Sequence, residues 1–250
     1  MRFSEKVLFA TGAGSGIAAA VARRFAAEGG RVAVADLDGE RAAAVASELD
    51  GSIPVALDVS NESAVAEAVR IARAELGRID CVLNAAGIAD FGPIEEWSLE
   101  RWNRMMGIHM GGTFLVSKHT LPALRESRNG SIVNIASVAA IVAQPYNAPY
   151  GAAKAAIAGF SRQLALDVAP DIRVNVVAPG RIQTGMTEPL WTARGDGSLE
   201  KGVAAAGENN PMHRVAQASE VGDPICFLLS DDASFITGHT LVVDGGETIT

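Results

Sequence analysis

The chain is poor in cysteine, in positive charge and in long apolar runs. Of its 250 residues only Cys81 and Cys226 are cysteines. Neither has a C-x-x-C neighbour, which excludes zinc-ribbon spacing and a disulfide-stapled fold. No metal is expected, and a reducing, cytoplasmic setting is the default. Lys and Arg number 21 against 29 Asp and Glu, a formal net charge of −8. That balance leaves no electrostatic footprint for nucleic acid and suits neither an anionic membrane nor an acidic protein partner. No apolar run approaches the ~20 residues of a membrane helix. Arg2 and Lys6, ahead of the uncharged run 7–22, imitate a signal peptide. The glycines Gly12, Gly14 and Gly16 and a switch from strand-like to helix-like pattern midway argue against one.

What remains is 48% hydrophobic and 20% charged, a globular composition. At this length a chain buries about 75% of the surface it exposes unfolded, so no staple is needed. Apolar strand-like runs occur at Val7–Ala10, Val32–Ala35, Ile53–Leu57, Cys81–Leu83, Ile132–Ile135, Val174–Ala178 and Leu241–Val243. Helix-period segments lie between them at Gly16–Ala27, Gly39–Leu49, Glu62–Leu76, Leu99–Leu124 and Tyr150–Val168. The strands lack strict alternation and are rich in Val, Ile and Ala, as strands are when helices cover both faces of a parallel sheet. The reading is a single α/β domain over residues 1–250, a Rossmann-type doubly wound parallel sheet of about seven strands. One stretch breaks the rhythm, residues 185–217, with Gly195, Gly197, Gly202, Gly207, Asn209, Asn210 and Pro211. Lying after a strand's carboxyl end, it reads as a mobile substrate-binding lid, or as an ordinary surface excursion.

The first strand runs into T-G-A-G-S-G-I-A at 11–18 and then a helix. Glycines there let the backbone approach a pyrophosphate, and the helix's amino end favours its charge. Asp36 ends the second strand, 20 residues past Gly16. A carboxylate there accepts from ribose hydroxyls and repels a 2′-phosphate, and Ser15 and Leu37, not arginine, flank the expected place. NAD is therefore the expected cofactor, although Asp36 could merely cap the segment that follows. Asp58 and Val59, after the third strand, fit an adenine contact.

Tyr150 and Lys154 lie four apart on one helical face, 13 residues past Ser137 at a strand's end. A phenol near ~10 is a poor acid or base at neutral pH. A neighbouring ammonium and a cationic nicotinamide are expected to lower it. Ser137 could hold the substrate oxygen while Tyr150 moves a proton and the nicotinamide a hydride. The spacing alone arises by chance in many helices, but this chain has only two tyrosines and four lysines.

With these elements in order, the chain resembles the short-chain dehydrogenase/reductase family over Lys6–Gly246. The further matching motifs are N-A-A-G at 84–87, I-A-S ending at Ser137, Y-G-A-A-K at 150–154, R-V-N-V-V-A-P-G at 173–180 and V-V-D-G-G at 242–246. The resemblance implies that Gly12, Ser15, Gly16 and Ile17 wrap the pyrophosphate and adenosine, with Asp36, Leu37, Asp58 and Val59 beside them. It implies that Asn84, Ala85 and Gly87 support the central strand. Tyr150 would be the acid/base, Lys154 would bind the nicotinamide ribose and tune Tyr150, and Ser137 would orient the substrate. Pro179, Gly180, Ile182 and Thr184 resemble the segment that grips the carboxamide. Homotetramers are common in the family, pairing through long helices and the carboxyl-terminal strand.

Three positions depart from the family pattern. Ala18 replaces its last glycine, and Ala85 an asparagine. His109 stands where the family usually has an asparagine that helps hold a water behind the lysine. It could act through its backbone carbonyl, relay protons with its ring, or weaken catalysis.

For the substrate, Ile88, Phe91, Val138, Gln144, Tyr146, Met186, Leu190 and Trp191 are the candidate lining, with Ser137, Gln144, Tyr146, Met186 and Trp191 as the contacts. Arg181 could attract an acidic group or serve the surface. The expected activity is oxidation of a secondary alcohol, or reduction of the ketone, on a free small molecule. A reductase of 3-oxoacyl groups on carrier protein or CoA is the alternative. A carrier needs a basic docking patch, and here Asp171 and an isolated Arg128 stand at that place. A non-catalytic NAD-sensing protein is the third reading, which the presence of Ser137, Tyr150 and Lys154 opposes. A nucleotide-sugar epimerase would need a larger carboxyl-terminal domain.

Overall fold

A computed structural model describes residues 1–208 and 210–249. The strands are β1 (Val7–Thr11), β2 (Arg31–Asp36), β3 (Ile53–Ala56), β4 (Cys81–Asn84), β5 (Gly130–Ile135), β6 (Ile172–Pro179), β7 (Ile182–Gln183), β8 (Ala216–Gln217) and β9 (Thr240–Val243). The helices are α1 (Gly16–Ala27), α2 (Gly39–Ala46), α3 (Glu62–Leu76), α4 (Leu99–Met106), α5 (Gly112–Glu126), α6 (Ala148–Val168), α7 (Glu188–Arg194), α8 (Leu199–Gly207) and α9 (Ala218–Leu229). Seven strands form one sheet in the order β3-β2-β1-β4-β5-β6-β9, and every pairing is parallel. β7 and β8 form a separate parallel pair.

The uninterrupted apolar strands have apolar cover on both faces. Leu8, Val32, Val34, Leu83 and Val133 pack with Phe25 of α1 and Val221, Ile225 and Leu229 of α9. Phe9, Val82, Ile132 and Val174 pack with Val65 and Leu76 of α3, Val116 and Leu124 of α5 and Val168 of α6. Strand order reverses between β1 and β4, so the helices that follow them, α1 and α5, cover opposite faces of the sheet and leave the crevice where such sheets bind ligands.

Three boundaries differ from the sequence reading. The long helix expected over Leu99–Leu124 is divided by a π turn at Gly107–Gly111. The amide of Gly112 reaches back five residues to the Gly107 carbonyl, and the widened turn points His109 inward. α6 starts at Ala148, two residues earlier than read, so that Tyr150 sits in its first turn. The 185–217 stretch is not an irregular excursion: it holds α7, α8 and β8, with Trp191, Ala206 and Val215 forming a small core of their own. Asn209 lies outside the described residues.

Beneath the carboxyl edge runs a buried polar chain. Asn84 Nδ2 donates to Asn134 Oδ1 at 2.8 Å, Asn134 Nδ2 to Ser161 Oγ at 2.8 Å, and Ser161 Oγ to the Ile157 carbonyl at 2.7 Å. It locks β4, β5 and α6 in register through groups that would be costly to leave unpaired. Asn134→Ala is expected to lower unfolding free energy by about 2 kcal/mol or more, measured by urea denaturation. A loss below about 0.5 kcal/mol would show that the chain does not hold the frame.

Candidate active site

At the crevice, Gly12 adopts φ +64, and a Cβ there would lie 3.0 Å from the Ala86 Cα and backbone nitrogen. The backbone leaving β1 thus lies against the backbone leaving β4, a closeness that only glycine allows. Thr11 fastens the same place: its hydroxyl donates to the Leu83 carbonyl at 3.3 Å and accepts from the Ala85 amide at 3.1 Å and the Ala86 amide at 3.3 Å. Gly16, at φ +58, opens α1, and Ser15 before it makes no side-chain cap. The first amides of α1, Ile17 among them, therefore face the crevice without a side-chain acceptor. Thr184 stands over this turn, its Cγ2 3.5 Å from a Cβ built on Gly16. The segment after β6 and the glycine turn are thereby brought together from opposite halves of the chain.

Asp36 is held by backbone on both oxygens. Oδ2 accepts from the Gly14 amide at 2.9 Å and Oδ1 from the Asp38 amide at 3.0 Å. It does not cap α2; that is done by Asp38, whose Oδ1 accepts from the Glu40 and Arg41 amides. The expectation that no arginine stands nearby is corrected: Arg41 Cβ lies 2.8 Å from a Cβ built on Gly14, beside Asp36. Its guanidinium is paired with Asp38 at 3.1 Å. Leu37 projects into solvent. Asp58 Oδ1 accepts from the Ser60 amide and hydroxyl, while Val59 is buried against Gly112. Gly180 donates to the Val243 carbonyl at 3.0 Å, just beyond Pro179 at the end of β6, and Ile182 is buried in β7.

Ser137, Tyr150 and Lys154 converge across β5 and α6. Lys154 is buried and its Nζ donates to the Ile135 carbonyl at 2.8 Å, 5.6 Å from the centre of the Tyr150 ring. Burial holds the lysine ammonium down at about 7. Burial also pushes the Tyr150 phenol up to about 12, while a hydrogen bond with Ser137 pulls it down. This corrects the expectation of a lowered phenol. The lysine turns its ammonium to the Ile135 carbonyl and sits in surroundings that penalise its own charge, so desolvation outweighs attraction.

His109 packs edge-on to Tyr150, ring centres 5.4 Å apart, with Phe91 at 5.9 Å on the same ring. His109 Nε2 lies 2.9 Å from the Ile88 carbonyl and 3.2 Å from its amide, and the shorter contact marks Nε2–H as donor. Nδ1 is buried without a partner among the described residues. Burial first, then the Lys154 charge, holds this imidazole down at about 3, against its bond to Ile88. The ring is neutral across the physiological range. It also explains Gly87, where a Cβ would lie 2.4 Å from His109 Cε1. The His109 carbonyl accepts from Thr113 Oγ1 at 2.7 Å.

Beside Tyr150 lies a cavity of about 490 Å³. Seven of the eight candidate lining residues face it: Phe91, Val138, Gln144, Tyr146, Met186, Leu190 and Trp191. Ile88 is the exception, its backbone engaged with His109. Gln144 is tied at its tip, to Glu247 at 3.4 Å and Asn147 at 3.0 Å. Arg181, read from the sequence as attracting an acidic group or serving the surface, is partly buried and paired with Glu247 at 3.1 Å. The sequence reading missed Asn134, Ser161, Thr11 and Arg41. Asn134, Ser161 and Thr11 act through contacts between segments far apart in the chain, which no local spacing signals, whereas Arg41 pairs with Asp38 three residues away.

The residues fit a dinucleotide: a glycine cradle that a Cβ would fill, helix-start amides for the phosphates and a carboxylate for ribose hydroxyls.

Comparison with known proteins agrees. Residues 12–248 match the family model described as enoyl-(acyl carrier protein) reductase. The D-threitol dehydrogenase of Mycolicibacterium smegmatis is 38% identical over 254 residues, 99% of this chain and 95% of that protein. The trans-4-hydroxycyclohexanecarboxylate dehydrogenase of Sinomonas cyclohexanicum is 36% identical over 258 residues, covering 99% and 94%. The ligand-free aldohexose dehydrogenase of Thermoplasma acidophilum superposes with a TM-score of 0.91 at 35% identity, covering 99% and 95%. The chain belongs to the short-chain dehydrogenase/reductase family. It is an oxidoreductase that acts on CH–OH groups with a nicotinamide cofactor.

Two outcomes are expected. His109→Asn keeps turnover within about an order of magnitude of the parent, because a ring neutral down to about 3 takes up no second proton near neutrality and has its one N–H engaged with the Ile88 carbonyl; kcat above or below that of the parent by about a hundred-fold would contradict this. The same variant flattens the acid side of the stability profile. Unfolded, the histidine gains its proton near 6.5; folded, only near 3. Its contribution is thus complete above the upper value and is lost as pH falls through the window. Thermal melting of both proteins at several pH values from 6.5 to 4 checks this.

Proposed function

We propose that this protein is an NAD-dependent dehydrogenase that interconverts a secondary alcohol and a ketone on a free small molecule. The observation that carries the reading is the convergence of Ser137, Tyr150 and Lys154 on one side of a largely apolar cavity. Gly12, Ser15, Gly16 and Ile17 bind the pyrophosphate, and Asp36 takes the adenosine ribose hydroxyls. Asp36 is already fixed by two amides, and Arg41 is occupied by Asp38, which supports NAD over a 2′-phosphorylated cofactor. When bound, the nicotinamide supplies the hydride acceptor and, oxidised, a positive charge near the phenol.

The chain's own groups handle oxygen and proton. Ser137 donates to the substrate oxygen and holds it at Tyr150. The Tyr150 oxygen takes the hydroxyl proton as the alcohol becomes a ketone and returns it in reduction. A phenol pushed up by burial holds its proton firmly, which suits the donating direction and makes the oxidising direction depend on added positive charge. Lys154 supplies part of that charge and reaches the nicotinamide ribose. His109 orients the Tyr150 ring as neutral packing. Phe91, Val138, Met186, Leu190 and Trp191 exclude water, with α7 and α8 as the lid.

Relatives named for D-threitol and for trans-4-hydroxycyclohexanecarboxylate stand at nearly the same identity, so identity leaves the choice of alcohol to the cavity. The reading includes a cytoplasmic homotetramer organised as one domain. Exposed Phe114, Leu166 and Phe235 and two buried free thiols support it. In an assay with a panel of secondary alcohols, NADH is expected to form with NAD, and Tyr150→Phe to lower kcat by about a hundred-fold or more. Equal or better turnover with NADP would overturn the role given to Asp36, and retained turnover in Tyr150→Phe the role given to the phenol.

A further inference from the structure

The cavity beside Tyr150 carries charge of one sign. Among its lining residues the ionisable ones apart from tyrosine are Arg181 and Arg194, in a chain of net charge −8. They are not equivalent. Arg181 is partly buried and neutralised by Glu247 at 3.1 Å. Arg194 forms no ion pair with any described residue, and its guanidinium is exposed at the cavity wall.

Arg194 ends α7, four residues after Leu190 and three after Trp191, so all three share one helical face, and all three line the cavity. A space of about 490 Å³ thus has a proton-transferring phenol on one wall and an uncompensated cation on the wall formed by the lid. Among the described residues no carboxylate lines it. A neutral alcohol would leave that cation to water. An anionic group would accept its fork of N–H donors in a partly desolvated place.

Resting on the proposed dehydrogenase reading, we propose that the substrate is a hydroxy acid or keto acid. Its carbinol or carbonyl carbon sits at Tyr150, and its carboxylate or equivalent anion is bound by Arg194. Arg194 is then the residue that determines specificity, and it acts on binding of the distal group, not on the proton.

The test compares levulinate, and longer keto acids of the same series, with their neutral amides. Binding to the NAD-loaded protein is measured by calorimetry, and NADH consumption is followed in parallel. At least one keto acid is expected to bind about ten-fold or more tighter than its amide. Arg194→Gln should bring the two within about two-fold, Arg194→Lys should keep most of the preference, and added salt should erode it. Amides that bind as well as the acids, a preference that survives Arg194→Gln, or a series that does not bind at all would each overturn the proposal. Preferential binding lost in Arg194→Gln but without NADH consumption would sustain it and sink the dehydrogenase reading instead.

Discussion

A buried lysine is the constraint around which the carboxyl edge of this sheet is arranged. Among the described residues Lys154 donates to one acceptor, the Ile135 carbonyl at the end of β5. Placing an ammonium there is costly, and its displacement down to about 7 measures that cost. The position is sustained because β5 and α6 are held together from below by the Asn84–Asn134–Ser161 chain. Tyr150, four residues earlier on the same helix, inherits its place from the lysine, and the π turn at Gly107–Gly111 brings His109 against it. Three ionisable side chains thereby share a dry region, each shifted toward its neutral form. Such a site is poised by desolvation and responds strongly to a cation that enters it.

The nucleotide half rests on backbone proximity. Gly12 lets β1 and β4 leave the sheet within contact distance, and Thr11 binds both sides with one hydroxyl. Asp36 is immobilised before any ligand arrives, since two amides occupy its oxygens. Preorganisation of this kind reduces the ordering cost of binding. With both Asp36 oxygens engaged by the Gly14 and Asp38 amides, α2 takes its cap from Asp38.

The segment proposed as a lid is a small structure with a core of its own, and that permits a division of labour. Trp191 is buried among Ala206 and Val215 and still presents a face to the cavity. Arg194, one turn further, extends past that core. Shape is set by the part of the lid that is packed, and charge by the part that is exposed. Glu247 approaches from the far end of the chain to pair with Arg181 and Gln144. Glu247 thus offsets one of the two positive charges that line the cavity.

Much of this molecule was legible in its sequence because the signals are local. Alternating apolar strands and helix-period segments carry the doubly wound topology, and the parallel seven-stranded sheet follows from hydrophobic pattern and crossover handedness. The glycine turn and the Y-x-x-x-K spacing are legible for the same reason: backbone conformation and helical periodicity act within a few residues. What tertiary structure alone decided is where charge is tolerated. The raised Tyr150 phenol, the neutral His109 and the Arg181–Glu247 pair depend on which distant segments exclude water from each group. Desolvation is a property of the whole packed surroundings, and residues that neighbour one another in space but not in sequence write it.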